Sequence, residues 1–166
     1  MYSETTIVGM EVRQARAGDA GAICAVALSN GIALDRDALR PGLRACALDA
    51  SIGRHLVAVM RGAVVGHAMA ARNMAAGFTH TANLAVSIAP ALQRRGIGSI
   101  LVGTIKSWAT GAGVCRLIAI CDIENLAARS LFASQGFLCE APAMLAYRQD
   151  ENGARHVCAQ LACILG

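Results

Sequence analysis

Aromatic residues are scarce in this chain: three Phe, two Tyr and one Trp among 166 residues. A surface that stacks nucleic-acid bases needs more rings than that. Basic runs are missing as well. No stretch of Lys/Arg exceeds two residues and the net charge is a modest +4, which suits a small anionic ligand and leaves no footprint for nucleic acid. Nothing approaches the roughly 18 consecutive apolar residues of a membrane span. The opening MYSETTIVGMEVRQ has no basic stretch followed by an apolar core, so a secretory leader is not expected. Seven cysteines are present, an odd number, and none are spaced CxxC. Cys115, Cys121, Cys139, Cys158 and Cys163 lie in apolar stretches and read as buried thiols in a reducing cytoplasm, with no metal site. No repeat, low-complexity linker or shift in composition divides the chain, so residues 1–166 read as one domain.

What is present is apolar. Hydrophobic residues make up 55% and charged residues 16%, and a chain of this length buries roughly 70% of the surface its unfolded form exposes. Global disorder is excluded. Met10–Ala15 alternates as a strand does. Asp19 is placed to cap a helix running to about Ser29, with Ile23, Val26 and Ala27 on one face. Asp35 to Ala50 is helical in tendency, and Pro41-Gly42 predicts a break into two short pieces. His55–Met60 and Val64–Ala71 form a hairpin about Arg61-Gly62-Ala63. Arg72–Thr81 is a polar loop, and Ala82–Ala89 is a strand that Pro90 helps to end.

Ile97, Ile100, Leu101, Ile105 and Trp108 recur at helical spacing, from a start at Gly96–Gly98 to a stop at Gly111-Ala112-Gly113. Val114–Cys121 is a continuous apolar run, the pattern of a strand covered on both faces. Asn125–Gln135 is a helix that Gly136 stops. Phe137–Arg148 and His156–Leu165 are strands joined at Asp150–Gly153, where Asn-Gly is a turn signal. The order is β-α-α-β-β-β-α-β-α-β-β, an α/β (α+β) fold with a mixed sheet of about seven strands and about four helices. Ala82 to Cys121 is a parallel strand pair with a right-handed crossover.

One junction stands out. QRRGIGS, Gln93–Ser99, lies where a strand gives way to a helix. A helix start leaves backbone N–H groups unpaired and carries partial positive charge, and glycines at 96 and 98 let a ligand approach closely, so a phosphate is favoured there. Arg94 and Arg95 add charge. A tight turn with solvated arginines would also explain GIG. A phosphate loop of the GxxxxGK[ST] type is absent, and Leu101 stands where the third glycine of a dinucleotide fingerprint would be.

The larger pattern resembles the GCN5-related N-acetyltransferase (GNAT) family. Gln93-Arg94-Arg95-Gly96-Ile97-Gly98 fits its Q/R-x-x-G-x-G/A motif. Asn125, Ala128, Leu131, Gly136 and Phe137 fit its N-x-x-A-x-x-L-Y-x-x-x-G-F pattern, with Phe132 in place of the tyrosine. The ending YRQDENGARHVCAQLACIL is similar to that of the small bacterial branch that acetylates phosphinothricin and amino acids. The resemblance implies acetyl-CoA as cofactor, with its pyrophosphate on the main chain of Arg94–Ser99 and its pantetheine arm along Val86, Ser87 and Ile88. It implies that Asn125 bonds the arm, while Asn125 also suits a helix cap, and that Ala128 and Phe132 pack beside the cofactor. Arg129 is a further candidate near the phosphate end. A homodimer is an assembly common in that branch.

The implied reaction moves acetyl from acetyl-CoA to a primary amine of a small molecule by direct attack. Protein N-terminal or lysine acetylation is the alternative within the chemistry, and a coenzyme A-binding module with weak catalysis is the alternative outside it. A lysine-like amine costs about 4.6 kcal/mol to neutralise at pH 7, and an α-amine near pKa 8 costs about 1.4. The strand Ala82–Ala89 carries no carboxylate, although many family members place a base there. His80, just before it, has a suitable ordinary pKa for a base; Asp122 and Glu124 read as capping or surface groups, and His55 and His67 as packing or exposed residues. With Phe132 unable to donate a proton to the departing thiolate, Tyr147 and Ser134 are the hydroxyls to consider. Arg36, Arg40, Arg44 and Arg72 are candidates for binding a substrate carboxylate.

Overall fold

A computed structural model describes residues 7–166. The elements are β1 (Met10–Gln14), α1 (Ala20–Leu28), α2 (Arg36–Leu48), β2 (Gly53–Met60), β3 (Ala63–Arg72), β4 (Thr81–Ile88), α3 (Ile97–Gly111), β5 (Arg116–Asp122), α4 (Leu126–Ser134), β6 (Leu138–Gln149) and β7 (Arg155–Ile164). This is the order expected from the sequence. The strands make one seven-stranded sheet, β1-β2-β3-β4-β5-β7-β6. Only β4 and β5, joined through α3, run parallel. None of the described helices is long and apolar enough to cross a membrane.

Helices cover the sheet on two sides. Ile97, Leu101 and Ile105, one helical turn apart, put the buried stripe of α3 on Leu56, Ala58, Ala68, Ala70, Ala82 and Leu84. The alanines make a low floor, which lets the helix come close. Full burial of each large side chain is worth about 1.5–3 kcal/mol, and Leu101→Ala would cost about 2–5 kcal/mol. On the opposite face, Ile23 of α1 and Leu43 of α2 pack on Val57 of β2.

The break expected at Pro41 does not occur: α2 is one helix with Pro41 inside it. Its start is secured by Asp35, whose carboxylate accepts from the N–H groups of Asp37 and Ala38. Leu39, Leu43 and Cys46 then share one face turned to the core, and that burial outweighs the one hydrogen bond a proline removes. Asp19 does not cap α1 through its side chain. Its carboxylate is taken by the Arg13 guanidinium at 2.8 and 2.9 Å and by Arg16 N at 2.7 Å.

The family-like run from Phe132 to Phe137 is a helix stop. Gly136 adopts φ +85°; its N–H donates to Ala133 O, and Phe137 N–H reaches back to Phe132 O at 3.0 Å. These are the paired bonds of a left-handed glycine terminus. The rings of Phe132 and Phe137 meet across it with centroids 5.1 Å apart. Lys106 of α3 adds its Nζ to Gln135 O at the same helix end, at 2.9 Å.

Two expectations need correction. β5 alternates in burial rather than being covered on both faces: Leu117, Ala119 and Cys121 are buried, while Ile120 is 37% exposed. The reason is that α3 and α4 cover one face there, and α1 and α2 lie over the other half of the sheet. Of the cysteines read as buried, Cys121, Cys158 and Cys163 are, but Cys115 and Cys139 are exposed. Cys115 sits in the turn before β5 and Cys139 on the outermost strand, β6.

Candidate active site

β4 and β5 are paired from Thr81↔Arg116 to Leu84↔Ala119, and no further. Beyond Leu84 the strands diverge while β4 stays bonded to β3 as far as Ile88. Backbone direction alternates along β4. His80 O accepts from Cys115 and Arg116 on the β5 side, whereas Ala89 N donates to Val65 O on the β3 side. By the same alternation, the main-chain groups of Val86 and Ile88 face the gap left by β5.

Ile88 O is occupied. Asn30 Nδ2 donates to it at 2.9 Å and Gln93 Nε2 at 3.1 Å, and Gln93 Nε2 also reaches Asn30 Oδ1 at 2.8 Å. Gln93, the first residue of the QRRGIG stretch, therefore ties the end of β4 to the α1–α2 connection. Val86 N–H, Val86 C=O and Ile88 N–H remain as an unpaired strand edge.

That edge is one wall of a cavity of about 340 Å³. The start of α3 is the second wall. Gly96 stands at φ +87° and Arg94 at φ +62°, the latter a left-handed conformation uncommon for a residue with a side chain. The first helical bond is Ile100 N to Gly96 O, so the N–H groups of Ile97, Gly98 and Ser99 precede it. α4 is the third wall. A Cβ on Gly98 would lie 2.8 Å from Leu131 Cδ2, so this glycine sets how closely α4 packs on α3, whereas Gly96 faces open space. Asn125 caps α4, its Oδ1 accepting from Ala128 N at 3.0 Å, which leaves Nδ2 to point elsewhere.

Of the residues singled out in the sequence, Val86, Ser87, Ile88, Gln93, Arg94, Gly96, Gly98, Ser99, Asn125 and Ala128 line this cavity together. Five do not. Arg95 is exposed. Ile97 turns into the core at 1% exposure, and Phe132 is buried against Phe137. His80 lies at the opposite end of β4 from the gap, six residues from Val86, or roughly 20 Å of extended chain. Tyr147 is half exposed on β6. Arg72 is also placed away from the gap, where it holds loop carbonyls: Nε donates to Thr79 O, and Nη1 to Ala112 O at 3.0 Å. Arg36 and Arg40 pair with Asp37. Asn30, Ile32, Leu92, Ala127, Ser130, Leu131 and Ser134 complete the wall; no local pattern marks Asn30, whose bond to Ile88 O spans 58 positions.

A charged cluster stands at the end of β5. β5 residues 117, 119 and 121 face the core under α3, so Asp122 faces the other side, as do Cys158 and His156 on β7. His156 Nδ1 is 2.7 Å from Asp122 Oδ2 and Nε2 is 3.1 Å from Asp150 Oδ2. The hydrogen bond to Asp150 first, then that to Asp122, raises the His156 pKa above its ordinary value. Burial pushes the Asp122 carboxyl up, but the hydrogen bonds from Glu124 N–H and His156 and the nearby charges of His156 and Arg148 together outweigh it and hold it below its ordinary range. Arg148 Nη2 reaches Asp122 Oδ2 at 3.4 Å.

An unpaired strand edge, a helix start with free N–H groups and a walled cavity between them fit a ligand with a phosphate end and an extended, amide-bearing arm. This is the architecture of an enzyme that draws on an acyl carrier. The chain belongs to the acetyltransferase (GNAT) family, whose model matches residues 23–137. It is an acetyl-CoA-dependent acetyltransferase. Comparison with curated proteins gives no match. Among solved structures, the chain is similar to yncA of Salmonella typhimurium, solved with its cofactor acetyl-CoA (24% identity, TM-score 0.82, 95% of each chain covered). It is also similar to a ribosomal-protein-alanine N-acetyltransferase of Brucella melitensis (27% identity, TM-score 0.81, covering 93% of this chain and 99% of that one). A phosphinothricin acetyltransferase of Sinorhizobium meliloti in complex with acetyl-CoA shares the fold (21% identity, TM-score 0.79, covering 96% and 90%).

Proposed function

We propose that the protein acetylates a primary amine of a small molecule, an amino acid or an amine-bearing metabolite, by direct attack on the thioester. Acetyl-CoA supplies the activated acetyl group when bound. The N–H groups of Arg94–Ser99 would hold its pyrophosphate, the edge of Val86 and Ile88 would pair with its pantetheine arm, and Asn125 Nδ2 would donate to that arm. The acceptor enters from the opposite face, past Ala85, Ser87 and Ile120.

One observation carries the small-acceptor reading: both sides of that entrance are tied down. The α1–α2 connection is bonded to the end of β4 through Asn30 and Gln93, and the β6–β7 turn is bonded to the end of β5 through His156. An entrance fixed on both sides suits a small acceptor. The acid–base groups of the cluster at the end of β5 are engaged. Both oxygens of Asp122 are taken by Glu124 N–H, His156 and Arg148, and both His156 nitrogens are taken by carboxylates. The amine then loses its proton to water, which favours an amine of low pKa. A spectrophotometric thiol-release screen over amino acids, polyamines, aminoglycosides and peptides tests this, with turnover expected on small amines.

Acetylation of a protein N-terminus is the second reading. The similarity to the Brucella melitensis ribosomal-protein-alanine enzyme favours it, and faster turnover on alanine-starting peptides than on any small amine would select it. The reading places one domain, residues 1–166, in a bacterial cytoplasm, which suits seven cysteines that are all free. A homodimer belongs to it too, supported by Leu138, Leu145 and Tyr147, exposed on the edge strand β6.

A further inference from the structure

The charged cluster at the end of β5 is unbalanced in hydrogen-bonding capacity. Asp122 Oδ1 accepts from Glu124 N, and Oδ2 from His156 and Arg148. Asp150 Oδ1 accepts from Asn152 N and Ala154 N, and Oδ2 from His156. The acceptors are used inside the cluster, and both His156 nitrogens are used as well. The guanidinium of Arg148 differs. It has five N–H donors, of which among the described residues one makes a long hydrogen bond, 3.4 Å to Asp122, and one reaches the Cys158 thiol, with the side chain 37% exposed. What the cluster offers a visitor is therefore donors on a fixed cation, the complement of a carboxylate.

The position is also defined. Arg148 pairs across the sheet with His156, but its long side chain crosses β7 to Asp122, on the face from which the acceptor must come. Asp122 is three residues past Ala119, the last β5 residue paired with β4, about 10 Å along the strand. Between them Ile120 presents a partly exposed apolar side chain.

We propose that Arg148, held by an Asp122 that His156 in turn fixes, binds the carboxylate of an α-amino-acid acceptor and so aims its amine at the β4–β5 gap, with the acceptor's side chain near Ile120. The proposal rests on the small-amine reading above and narrows it to acceptors that carry a carboxylate. It gives Arg148 a second effect. Pairing the carboxylate with a guanidinium cancels the negative charge that keeps a neighbouring ammonium protonated, which lowers the amine's pKa.

The test compares each apolar amino acid with its carboxamide, for instance leucine and leucinamide, by thiol release. The amide's amine is the easier of the two to deprotonate, so a preference for the acid reports recognition of the carboxylate. The protein should prefer acids by about tenfold or more. Arg148→Gln should reduce kcat/KM for acids by about 10–100-fold, mainly through KM, and leave amides within about threefold. Its pH profile with acids should move to higher pH, and Arg148→Lys should restore part of the loss. Stabilisation of both variants by acetyl-CoA should match the parent. Equal turnover of acids and amides by the parent overturns the proposal, and needs no variant to fold. Equal losses on acids and amides in Arg148→Gln also overturn it. Thiol release with no small amine at all, while acetyl-CoA still raises the melting temperature, overturns the small-amine reading and this one together.

Discussion

β4 and β5 are a strand pair over their first halves and two separate strands over their second. From Thr81 to Leu84 every β5-facing group of β4 is used by the sheet, while at Val86 and Ile88 the same groups are left over. The sequences of the two halves differ little in size and charge: TANL and AVSI are both short-chained and uncharged. What separates them is what β5 does. Beyond Ala119 it stays with β7 through Asp122↔Cys158, while β4 stays with β3 through Gly66↔Ile88. A gap in a sheet is expensive unless something fills it, because unpaired buried backbone groups lose their water. In the first half the filler is protein, and in the second the proposed filler is the pantetheine arm.

Proline substitution sharpens this contrast most. Ala82→Pro removes a donor from the paired half and should cost about 3 kcal/mol or more by denaturant unfolding. Val86→Pro removes a donor that faces the gap, as on an edge strand, and should cost about half as much stability. It should nonetheless weaken acetyl-CoA binding about tenfold by calorimetry. Equal destabilisation would show that the halves do not differ.

Gly98→Asp acts on the opposite wall of the open half. Its carboxylate would meet the N–H groups a phosphate needs, and its Cβ would press on Leu131. Acetyl-CoA affinity should fall by about a hundredfold, mostly through charge. Gly98→Ala carries the steric part alone, so a comparable loss in that variant would assign the effect to packing of α4.

Two groups of histidines beside the open half behave in opposite ways. On the α1–α2 side, His55 Nδ1 and His67 Nε2 are 3.1 Å apart, and the residues are 6% and 5% exposed. Burial first, then the neighbouring His55, pushes His67 down to about 3. A folded pKa below the unfolded 6.5 means that the folded state binds fewer protons, so stability falls as pH drops below 6.5 and goes on falling towards 3. By pH 5 the loss attributable to His67 is about 2 kcal/mol. His156 has the opposite sign: its raised pKa makes its contribution full below pH 6.5 and lost as pH rises through the folded value. Melting temperatures from pH 4 to 8 should drop on the acid side, and His67→Gln should flatten that drop. An unchanged slope in the variant would remove His67 as its source.

The smallest effect is expected at Phe132. Its ring is 3% exposed and belongs to the helix stop with Phe137. Phe132→Tyr should lose about 1 kcal/mol through its buried hydroxyl and change kcat by less than about threefold. A tenfold gain in kcat would mean that the new hydroxyl reaches the departing sulfur.

The legible parts of the molecule were local. Alternation and helical spacing mark the element order, Gly96–Gly98 marks a helix start, and Gly136 marks a helix end. Local rules also failed where tertiary contacts decide. Pro41 looked like a break because its lost hydrogen bond can be seen in the sequence, while the burial of Leu43 that outweighs it cannot. Ten of the cavity residues could be read because they cluster about two glycine turns and one strand. Asn30 and the His156–Asp122–Arg148 cluster could not, since their partners lie tens of residues away and no spacing rule links them. His80 stood next to the right strand in sequence, but at its wrong end.

Lys106, which closes α4 through Gln135, is the only lysine in the chain; the other fourteen basic side chains are arginines. A protein that handles an activated acetyl group therefore exposes little of its own to be acetylated. The one ε-amine is already donating to a carbonyl at 2.9 Å, and guanidinium groups are not nucleophiles at neutral pH. Thiol release without an acceptor should be close to the rate of simple hydrolysis, which gives assays of weak acceptors a low background. Amine-directed cross-linkers and dyes will find almost nothing on the folded surface, so immobilisation or labelling has to go through Cys115 or Cys139, both exposed.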